Sequence, residues 1–294
     1  MSSPHHLVPD TVPADVHVDS ALVHRLIARQ HPDLLAPIVR LAEGYDNVIF
    51  RVGEHWLARM PRRRMGAETL DREALVLPTV APLLAGLDLP WPRRAGVPDG
   101  DYPYRWALVP YRAGACPDPS ASTPVRADQL TRIFAALHVP CGADAPTEAA
   151  RAIPLLRRDA ELRRNLHDLA TLHGERSHLL ALWEAACRAP PWGRPPVWVH
   201  GDLHPMNLLA RDGVLTGVLD WGDAFGGDPA PDLSAVWMLL DPAHHGPLRA
   251  AYDPATWQRG LGWTVWLRVM LERAVVSGAP SFLPITTALR RRLG

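Results

Sequence analysis

One segment in the last third of the chain concentrates side chains that can do chemistry. Asp202 and Asn207 stand five residues apart, and Asp220 follows Asn207 by thirteen. Between them, Asp212-Gly213 separates two apolar runs, which is a strong signal for a two-residue β-hairpin turn. Such a turn would place Asn207 opposite Val218 and return Asp220 to the same end as Asp202. The spacing therefore predicts that two carboxylates and one amide converge.

Convergent carboxylate and amide oxygens suit a hard cation such as Mg²⁺, which keeps water and substrate phosphates as its other ligands. A free aspartate beside such a site can orient a hydroxyl and accept its proton, as in kinase-type phosphoryl transfer. His200 and His204 are four residues apart, which on a helix would suggest a zinc pair. Gly201 and Pro205 interrupt that stretch, so we do not predict a zinc site.

The two motifs around these residues, HGDLHPMN and GVLDWGDA, resemble those of the aminoglycoside phosphotransferase family, the small-molecule branch of the protein-kinase-like fold. The resemblance extends over about residues 38–275. It implies that Asp202 is the catalytic aspartate, that Asn207 and Asp220 hold Mg²⁺, and that ATP or GTP is the phosphate donor. It also implies that Asp232 braces the catalytic loop.

The basic residues add an unusual constraint, because all 31 of them are arginine. Without lysine, Schiff-base chemistry and a Walker A phosphate loop are excluded. The family places a lysine on the third strand to bind nucleotide phosphates, and Arg59 occupies that position here. Its guanidinium keeps the positive charge and can bind phosphate through two hydrogen bonds. Glu73 is the expected acidic partner on the following helix, with Glu68 as the alternative.

Two further segments are expected to contact the nucleotide. The turn at 43–47 stands where kinases cover the phosphates, and Gly44 and Asn47 either contact phosphate there or form an ordinary hairpin turn. The stretch 106–114 resembles the hinge between kinase lobes, where a purine base pairs with the backbone. The resemblance points to the Pro110 carbonyl and the Arg112 N–H.

Apolar spacing predicts the elements that position these residues. Two or three antiparallel strands are expected within 37–61 and one more at 104–111. Helices are expected at 19–31, 66–85, 124–138, 150–172 and 176–188, with a strand at 197–199 and further helices beyond residue 228. The resulting fold class is α+β and bilobal, with a small antiparallel sheet plus one helix followed by a larger, mostly helical lobe that carries the catalytic hairpin.

The predicted domains are a nucleotide-binding lobe at 1–112, with a loose lead at 1–18, and a catalytic and substrate-binding lobe at 113–294. The hinge is expected near 110–114. Zero net charge argues against nucleic-acid binding. Three widely spaced cysteines and the absence of a signal peptide or membrane span favour the cytoplasm.

The resemblance implies a small hydroxylated acceptor, most often an antibiotic, and a housekeeping metabolite is the alternative. Cationic aminoglycosides need carboxylates from the C-terminal helices. Asp223 and Glu272 are the substrate candidates, although Asp223 can equally face solvent. The late tryptophans either belong to the core or line an apolar pocket suited to a macrolide, peptide or nucleoside antibiotic.

Overall fold

A six-stranded sheet forms the first third of the chain. The computed structural model describes residues 5–6, 13–121, 125–147 and 149–293, so part of the predicted loose lead lies outside the described residues. The strands are β1 (His5–His6), β2 (Ile38–Glu43), β3 (Asn47–Val52), β4 (Trp56–Pro61), β5 (Arg94–Gly96) and β6 (Trp106–Pro110). Their order is β1-β2-β3-β4-β6-β5, and every neighbouring pair is antiparallel except β1 with β2. The predicted antiparallel sheet is confirmed, with one parallel pair added at its edge.

The alternation of side chains along the strands gives the sheet two apolar faces. Val48, Phe50 and Val52 of β3 are buried against helix α1 (Ser20–Gln30). On the other face, Leu70 of helix α2 (Arg64–Val80) packs on Leu57, Ala107 and Val109.

The two helices of this part begin and end differently from their predicted bounds. Asp19, not Ser20, caps α1, because its Oδ1 accepts a hydrogen bond from Leu22 N at 2.8 Å. Helix α2 (Arg64–Val80) contains Pro78 and ends at Val80, short of the predicted residue 85.

The rest of the chain is mostly helical. Its helices are α3 (Ala127–Leu137), α4 (Asp159–Asp168), α5 (Arg176–Arg188), α6 (Ser234–Leu239), α7 (Gly246–Ala250), α8 (Pro254–Val276) and α9 (Leu283–Leu293). The predicted helix at 176–188 is confirmed. The predicted helix at 150–172 is wrong as a single element, because Pro154 precedes a 3₁₀ turn at Leu155–Arg158 and α4 ends at Asp168. None of the described helices is both long enough and apolar enough to span a membrane.

Two short pairs of strands lie within the helical part. Strand β7 (Val197–Val199) pairs with β10 (Phe225–Gly227), and β8 (Leu208–Arg211) pairs with β9 (Val214–Val218), all antiparallel. The turn of the second pair is Asp212-Gly213, and both residues have positive φ, 53° and 73°. Two positive φ values are the signature of a type I′ turn, as the Asp-Gly pair predicts.

The register of the β8–β9 hairpin differs by one residue from the expected register. Arg211 pairs with Val214 and Ala210 with Leu215, but Leu209 then pairs with Gly217, so Thr216 is an extra residue. Val218 consequently lies opposite Leu208 and not Asn207. A β-bulge of this kind shifts one strand against the other. It moves Asp220 by one position relative to Asn207, and the two residues stay at the same end of the hairpin.

The polypeptide between Pro110 and Ala127 joins the sheet to the helical part. Ala115 exchanges backbone hydrogen bonds with Ala210 of β8, at 3.0 and 2.8 Å. Arg211 donates to the Ala113 carbonyl at 2.9 Å. The connection is therefore attached to the catalytic hairpin.

Candidate active site

The loop after β7 is held by a buried carboxylate. Asp232 is fully buried, and its two oxygens accept hydrogen bonds from His200 N at 2.8 Å and Gly201 N at 2.9 Å. His138 Nε2 contacts the same carboxylate at 3.2 Å. Burial alone would raise the pKa of Asp232, but the hydrogen bond and the charge of His138 hold it below its usual value. The expected bracing contact of Asp232 is present.

Two local features bend the backbone into position for Asp202. Gly201 has φ +82°, and a Cβ atom at this residue would overlap the carbonyl oxygen of Asp223. His200 accepts a hydrogen bond from Asp202 N through Nδ1 at 3.3 Å and donates through Nε2 to the Leu219 carbonyl at 2.9 Å. The glycine therefore meets both a conformational and a steric requirement.

The Asp202 carboxylate is surrounded by nitrogen donors. Arg151 Nη1 lies 2.5 Å from Oδ1. His204 Nε2 lies 3.5 Å from Oδ2, and Asn207 Nδ2 lies 3.3 Å from it. Burial would raise the pKa of Asp202, but Arg151 and His204 outweigh it and hold that pKa far below its usual range. The carboxylate is therefore ionised throughout the physiological range.

Asn207 and Asp220 fit the requirements of a magnesium site. Asn207 Nδ2 donates to the Asp202 carbonyl at 2.9 Å, which turns the amide oxygen away from Asp202. Leu219 N donates to the Asn207 carbonyl at 2.8 Å, so the next residue, Asp220, lies beside Asn207. Asp220 is exposed and has φ +59°, in the left-handed region that few non-glycine residues adopt. An amide oxygen and an exposed carboxylate are suitable Mg²⁺ ligands.

Asp220 is also electrostatically close to other carboxyl groups. Its charge contributes to raising the pKa of Asp223, after burial and the charge of Asp202. It likewise contributes to the raised pKa of Asp46, where burial is the main cause. Such accumulated negative charge favours a bound cation.

The structure brings Arg59 and Glu73 together. Arg59 Nη1 donates to both oxygens of Glu73, at 2.8 and 2.7 Å, and both side chains are buried. Burial would lower the pKa of Arg59, but the charges of Glu73 and Asp220 raise it overall. Burial raises the pKa of Glu73 to about 7 against the opposing effect of Arg59. The alternative partner, Glu68, is exposed and pairs with Arg64 at 2.8 Å.

The turn that contains Gly44 and Asn47 is a tight hairpin. Gly44 N donates to the Asn47 carbonyl at 2.8 Å, so this N–H is used within the turn. The Asn47 side-chain oxygen is buried without a hydrogen-bond partner among the described residues. Arg62 pairs with Glu43 at 2.7 Å, and Arg63 contacts Asp46 at 3.3 Å. These arginines attach the turn to the residues that follow β4.

Pro110 and Arg112 lie at the end of the sheet. Pro110 is the last residue of β6 and pairs with Trp56 of β4. The Arg112 side chain is drawn to Asp88, with Nε 2.8 Å from Oδ1. The adjacent Tyr111 N donates to the His55 carbonyl at 2.7 Å, which sets the backbone direction just after β6.

The two substrate candidates lie in different surroundings. Asp223 is half-buried, and its carbonyl lies beside Gly201. Glu272 is buried on α8, where it pairs with Arg268 at 2.6 Å, and Arg290 of α9 lies 3.9 Å away. The structure therefore brings Asp223 to the Asp202 loop, whereas Glu272 serves the packing of α8 against α9.

The late tryptophans divide in the same way. Trp237 and Trp263 are buried in the core, and Trp257 packs on Trp237 with ring centroids 4.7 Å apart and the rings tilted by 43°. Trp266 is half-buried and faces the Arg151 guanidinium, 5.7 Å from the ring centroid. Only Trp266 among these four has a described contact with a residue that touches Asp202.

Arg151 and His138 contact the site and were not identified from the sequence. Arg151 precedes Asp202 by 51 residues and lies in a loop between α3 and α4, and His138 ends α3. Neither belongs to a motif with recognisable spacing. The His138 contact with a buried aspartate on a distant segment leaves no local signal in the sequence.

Comparison with known proteins gives consistent matches. The model of the phosphotransferase enzyme family matches residues 37–268. A viomycin phosphotransferase of Streptomyces vinaceus is 31% identical over 235 residues, covering 71% of this chain and 79% of that protein. An aminoglycoside 3'-phosphotransferase of Escherichia coli is 38% identical over a shorter stretch of 60 residues, 20% of this chain and 22% of that protein.

Solved structures resemble the whole chain. The GDP complex of aminoglycoside 2'-phosphotransferase-IIIa superposes with a TM-score of 0.67 at 18% identity, over 94% of this chain and 99% of that one. A macrolide 2'-phosphotransferase from Brachybacterium faecium superposes with a TM-score of 0.57 at 22% identity, over 93% and 97%. At these identities the likeness establishes the kinase-like fold.

Proposed function

Because the chain belongs to the phosphotransferase enzyme family, we propose that it transfers the γ-phosphate of ATP or GTP to a hydroxyl of a small antibiotic molecule. The observation that carries this proposal is the Asp202 carboxylate, held ionised beside Asn207 and next to the strand end that bears Asp220. The similarity to a viomycin phosphotransferase supports an antibiotic as the acceptor. A cytoplasmic location, where ATP and GTP are available, is part of the proposal.

Asp202 orients the acceptor hydroxyl and accepts its proton as the new phosphate ester forms. A carboxylate with a depressed pKa is a weak base, so it contributes by positioning the hydroxyl as well as by accepting its proton. This agrees with phosphoryl transfer in general, where catalysis comes largely from alignment and charge neutralisation. Gly201 and Asp232 keep the loop in the conformation that presents this carboxylate.

Asn207 and Asp220 would hold Mg²⁺, which would neutralise the charge of the transferred phosphate. The chain contributes an amide oxygen and a carboxylate, and Asp220 in its left-handed conformation is fixed by the end of β9. His204 Nε2 lies 3.5 Å from the Asp202 carboxylate, so the imidazole is a neighbour of the catalytic group.

The sheet side of the site is proposed to bind the nucleotide. Arg59, oriented by Glu73, would contact the phosphates, and the Gly44–Asn47 turn would cover them, with the Asn47 amide as the available polar group. The Pro110 carbonyl and the Arg112 N–H would pair with the base. The proposed division into lobes 1–112 and 113–294 is supported by the end of the sheet at Pro110.

A phosphorylation screen read by mass spectrometry tests the proposal. The chain is offered ATP and GTP, each with Mg²⁺, together with hydroxylated antibiotics and with amino alcohols and sugars as metabolite controls. We expect a mass gain of one phosphate on at least one antibiotic. Turnover of metabolites alone would reject the antibiotic acceptor and favour a housekeeping kinase. The absence of phosphorylated product with every acceptor would reject the proposed activity.

A further inference from the structure

Most of the carboxylates in the helical part that a polycationic acceptor could use are already paired with arginine. Aminoglycosides carry several ammonium groups, and binding them requires free carboxylates close to the reacting hydroxyl. Six carboxylates of the helical part each lie 2.6 to 3.7 Å from an arginine nitrogen: Glu161, Glu184, Asp228, Asp241, Asp253 and Glu272. Of the two substrate candidates predicted from the sequence, Asp223 and Glu272, only Asp223 lies beside the Asp202 loop.

Cations stand next to Asp202 instead. The Arg151 side chain is only 13% exposed, contacts Asp202 Oδ1 at 2.5 Å and also donates to the Gly201 carbonyl. Arg158 lies nearby, because both guanidinium groups face the ring of Trp266, at 5.7 and 5.2 Å from its centroid. The indole therefore lies against Arg151, which contacts the catalytic carboxylate, and against Arg158, which is paired with Glu161.

These arginines retain unused donors. Within the part of the chain that the structure describes, the Nε atoms of Arg151 and Arg158 are buried and have no hydrogen-bond partner. Arg158 also contacts Glu161 at 3.3 Å, and Trp266 Nε1 contacts the same carboxylate oxygen at 3.4 Å. Buried donors without partners are costly, and an oxygen-rich ligand would satisfy them.

The position of Arg151 places a condition on the acceptor. A hydroxyl that reaches Asp202 must take up one carboxylate oxygen, and Oδ2 already contacts His204 and Asn207. When Asp202 accepts the proton of that hydroxyl, the carboxylate loses its charge, and the largely buried Arg151 guanidinium is left without its counter-charge. Such a charge is strongly unfavourable unless the ligand brings a replacement. An ammonium group cannot replace it, whereas an anionic oxygen can.

We infer that Arg151, assisted by Arg158, selects acceptors that carry an anionic oxygen group, such as a carboxylate, next to the reacting hydroxyl, and rejects polycationic aminoglycosides. This inference rests on the proposed function and narrows its acceptor class. Arg151 is a specificity-determining residue in this view. The phosphate still passes to the hydroxyl, and the anionic group binds the guanidinium without reacting.

Three matched probes test the inference without requiring turnover. 3-Phenyllactate, its primary amide and 1-amino-3-phenyl-2-propanol carry the same hydroxyl and ring but a carboxylate, an uncharged amide or an ammonium group. Their binding is measured by calorimetry in the presence of Mg²⁺ and a non-hydrolysable ATP analogue. We expect the carboxylate to bind more tightly than the amine by about tenfold or more, the effect of one charge-assisted hydrogen bond.

Two variants assign that preference to its residue. Arg151→Met should reduce the ratio of carboxylate to amine affinity to near one. Arg163→Met removes an arginine from a surface ion pair on α4 and should leave the ratio unchanged. Retention of the preference in Arg151→Met, or equal binding of the three probes to the unaltered protein, would overturn the inference.

The screen of antibiotics separates this inference from the proposed function. Efficient phosphorylation of an aminoglycoside would reject the charge selection and leave the phosphotransferase function standing. A preference for the carboxylate probe without turnover of any antibiotic would reject the antibiotic acceptor and leave the selection by Arg151 standing.

Discussion

Asp202 owes its environment to residues from two segments of the chain. Arg151 comes from the loop before α4, whereas His204 and Asn207 belong to the catalytic loop itself. Together they keep the carboxylate ionised and oriented. At the scale of single residues, the site therefore depends on charge as well as on the identity of the catalytic group.

Replacing Asp202 by Asn tests the role of that charge. The amide has nearly the same shape but cannot accept a proton, so we expect kcat to fall by about 10² to 10⁴ fold. Nucleotide affinity should change little, because Asp202 is expected to act on the acceptor side. Turnover by mass spectrometry and nucleotide binding by calorimetry report the two effects. Asp168→Asn, at an exposed position on α4, is the control, and retained turnover in Asp202→Asn would contradict the catalytic assignment.

Arg59 is expected to supply the cation that lysine provides elsewhere in the family. Arg59→Met should raise the nucleotide KM by about tenfold or more, since a charge-assisted contact to phosphate is lost. It also leaves Glu73 buried without a counter-charge, so the fold must be checked by circular dichroism. Arg59→Lys keeps the charge and should restore much of the affinity. An unchanged KM in a folded Arg59→Met protein would show that this arginine does not bind the nucleotide.

At the scale of elements, short loops and turns determine where the functional groups lie. Asp232 is close to the start of α6 but fixes the backbone after β7. The β8–β9 hairpin carries Asn207 before its first strand and Asp220 after its second. The Asp232 contacts and the β8–β9 hairpin both rely on hydrogen bonds to the backbone, which fix the direction of the chain.

Gly201 and Gly213 both have positive φ, but only Gly201 is also required for steric reasons. Gly201→Ala introduces a Cβ against the Asp223 carbonyl and should abolish most turnover, because Asp202 is displaced. Gly213→Ala is the matched control, since it has φ +73° but no heavy atom within 4 Å of the added Cβ. We expect it to cost only about 1 kcal/mol of stability and to keep its activity. Turnover kinetics report the displacement of Asp202, and urea denaturation reports the cost of backbone strain in both variants. Equal loss of activity in Gly201→Ala and Gly213→Ala would contradict this explanation.

At the scale of the whole molecule, the sheet and the helical part meet around ionisable groups. Arg59 and Glu73 lie on the sheet side, and Asp220 influences both of their pKa values from the catalytic hairpin. Asp223 on the helical side is affected by the same carboxylate. Charged groups from both parts of the chain therefore surround the candidate active site.

The stability of the whole protein should depend on Asp232 in acid. Its pKa is lower in the folded state than the unfolded value of 3.8, so the unfolded chain binds more protons at low pH. The stabilisation is present above about pH 4 and is lost as the pH falls through the folded-state pKa. Asp232→Asn removes this ionisation, so the difference in Tm between the two proteins should shrink below about pH 4. A difference that stays constant from pH 7 to pH 3 would contradict the linkage.

Much of this protein follows from its local sequence. The Asp-Gly turn, the helix at 176–188 and the strand at 197–199 depend on neighbouring residues and on apolar periodicity, and each was predicted. The motif spacing also indicated that Asp202, Asn207 and Asp220 would meet, because a hairpin returns the chain to its starting point. The single-helix prediction for 150–172 failed where Pro154 and a 3₁₀ turn override the apolar spacing.

Only the tertiary structure decided which distant side chains complete the site. The extra residue Thr216 shifted the hairpin register by one position. Above all, Arg151 reached Asp202 from a loop 51 residues earlier. Contacts of this kind arise when packed elements bring separate segments within a few ångströms, so neither spacing nor periodicity along the chain encodes them. The sequence alone thus predicted the reaction centre, and the fold determined which charged side chains surround it.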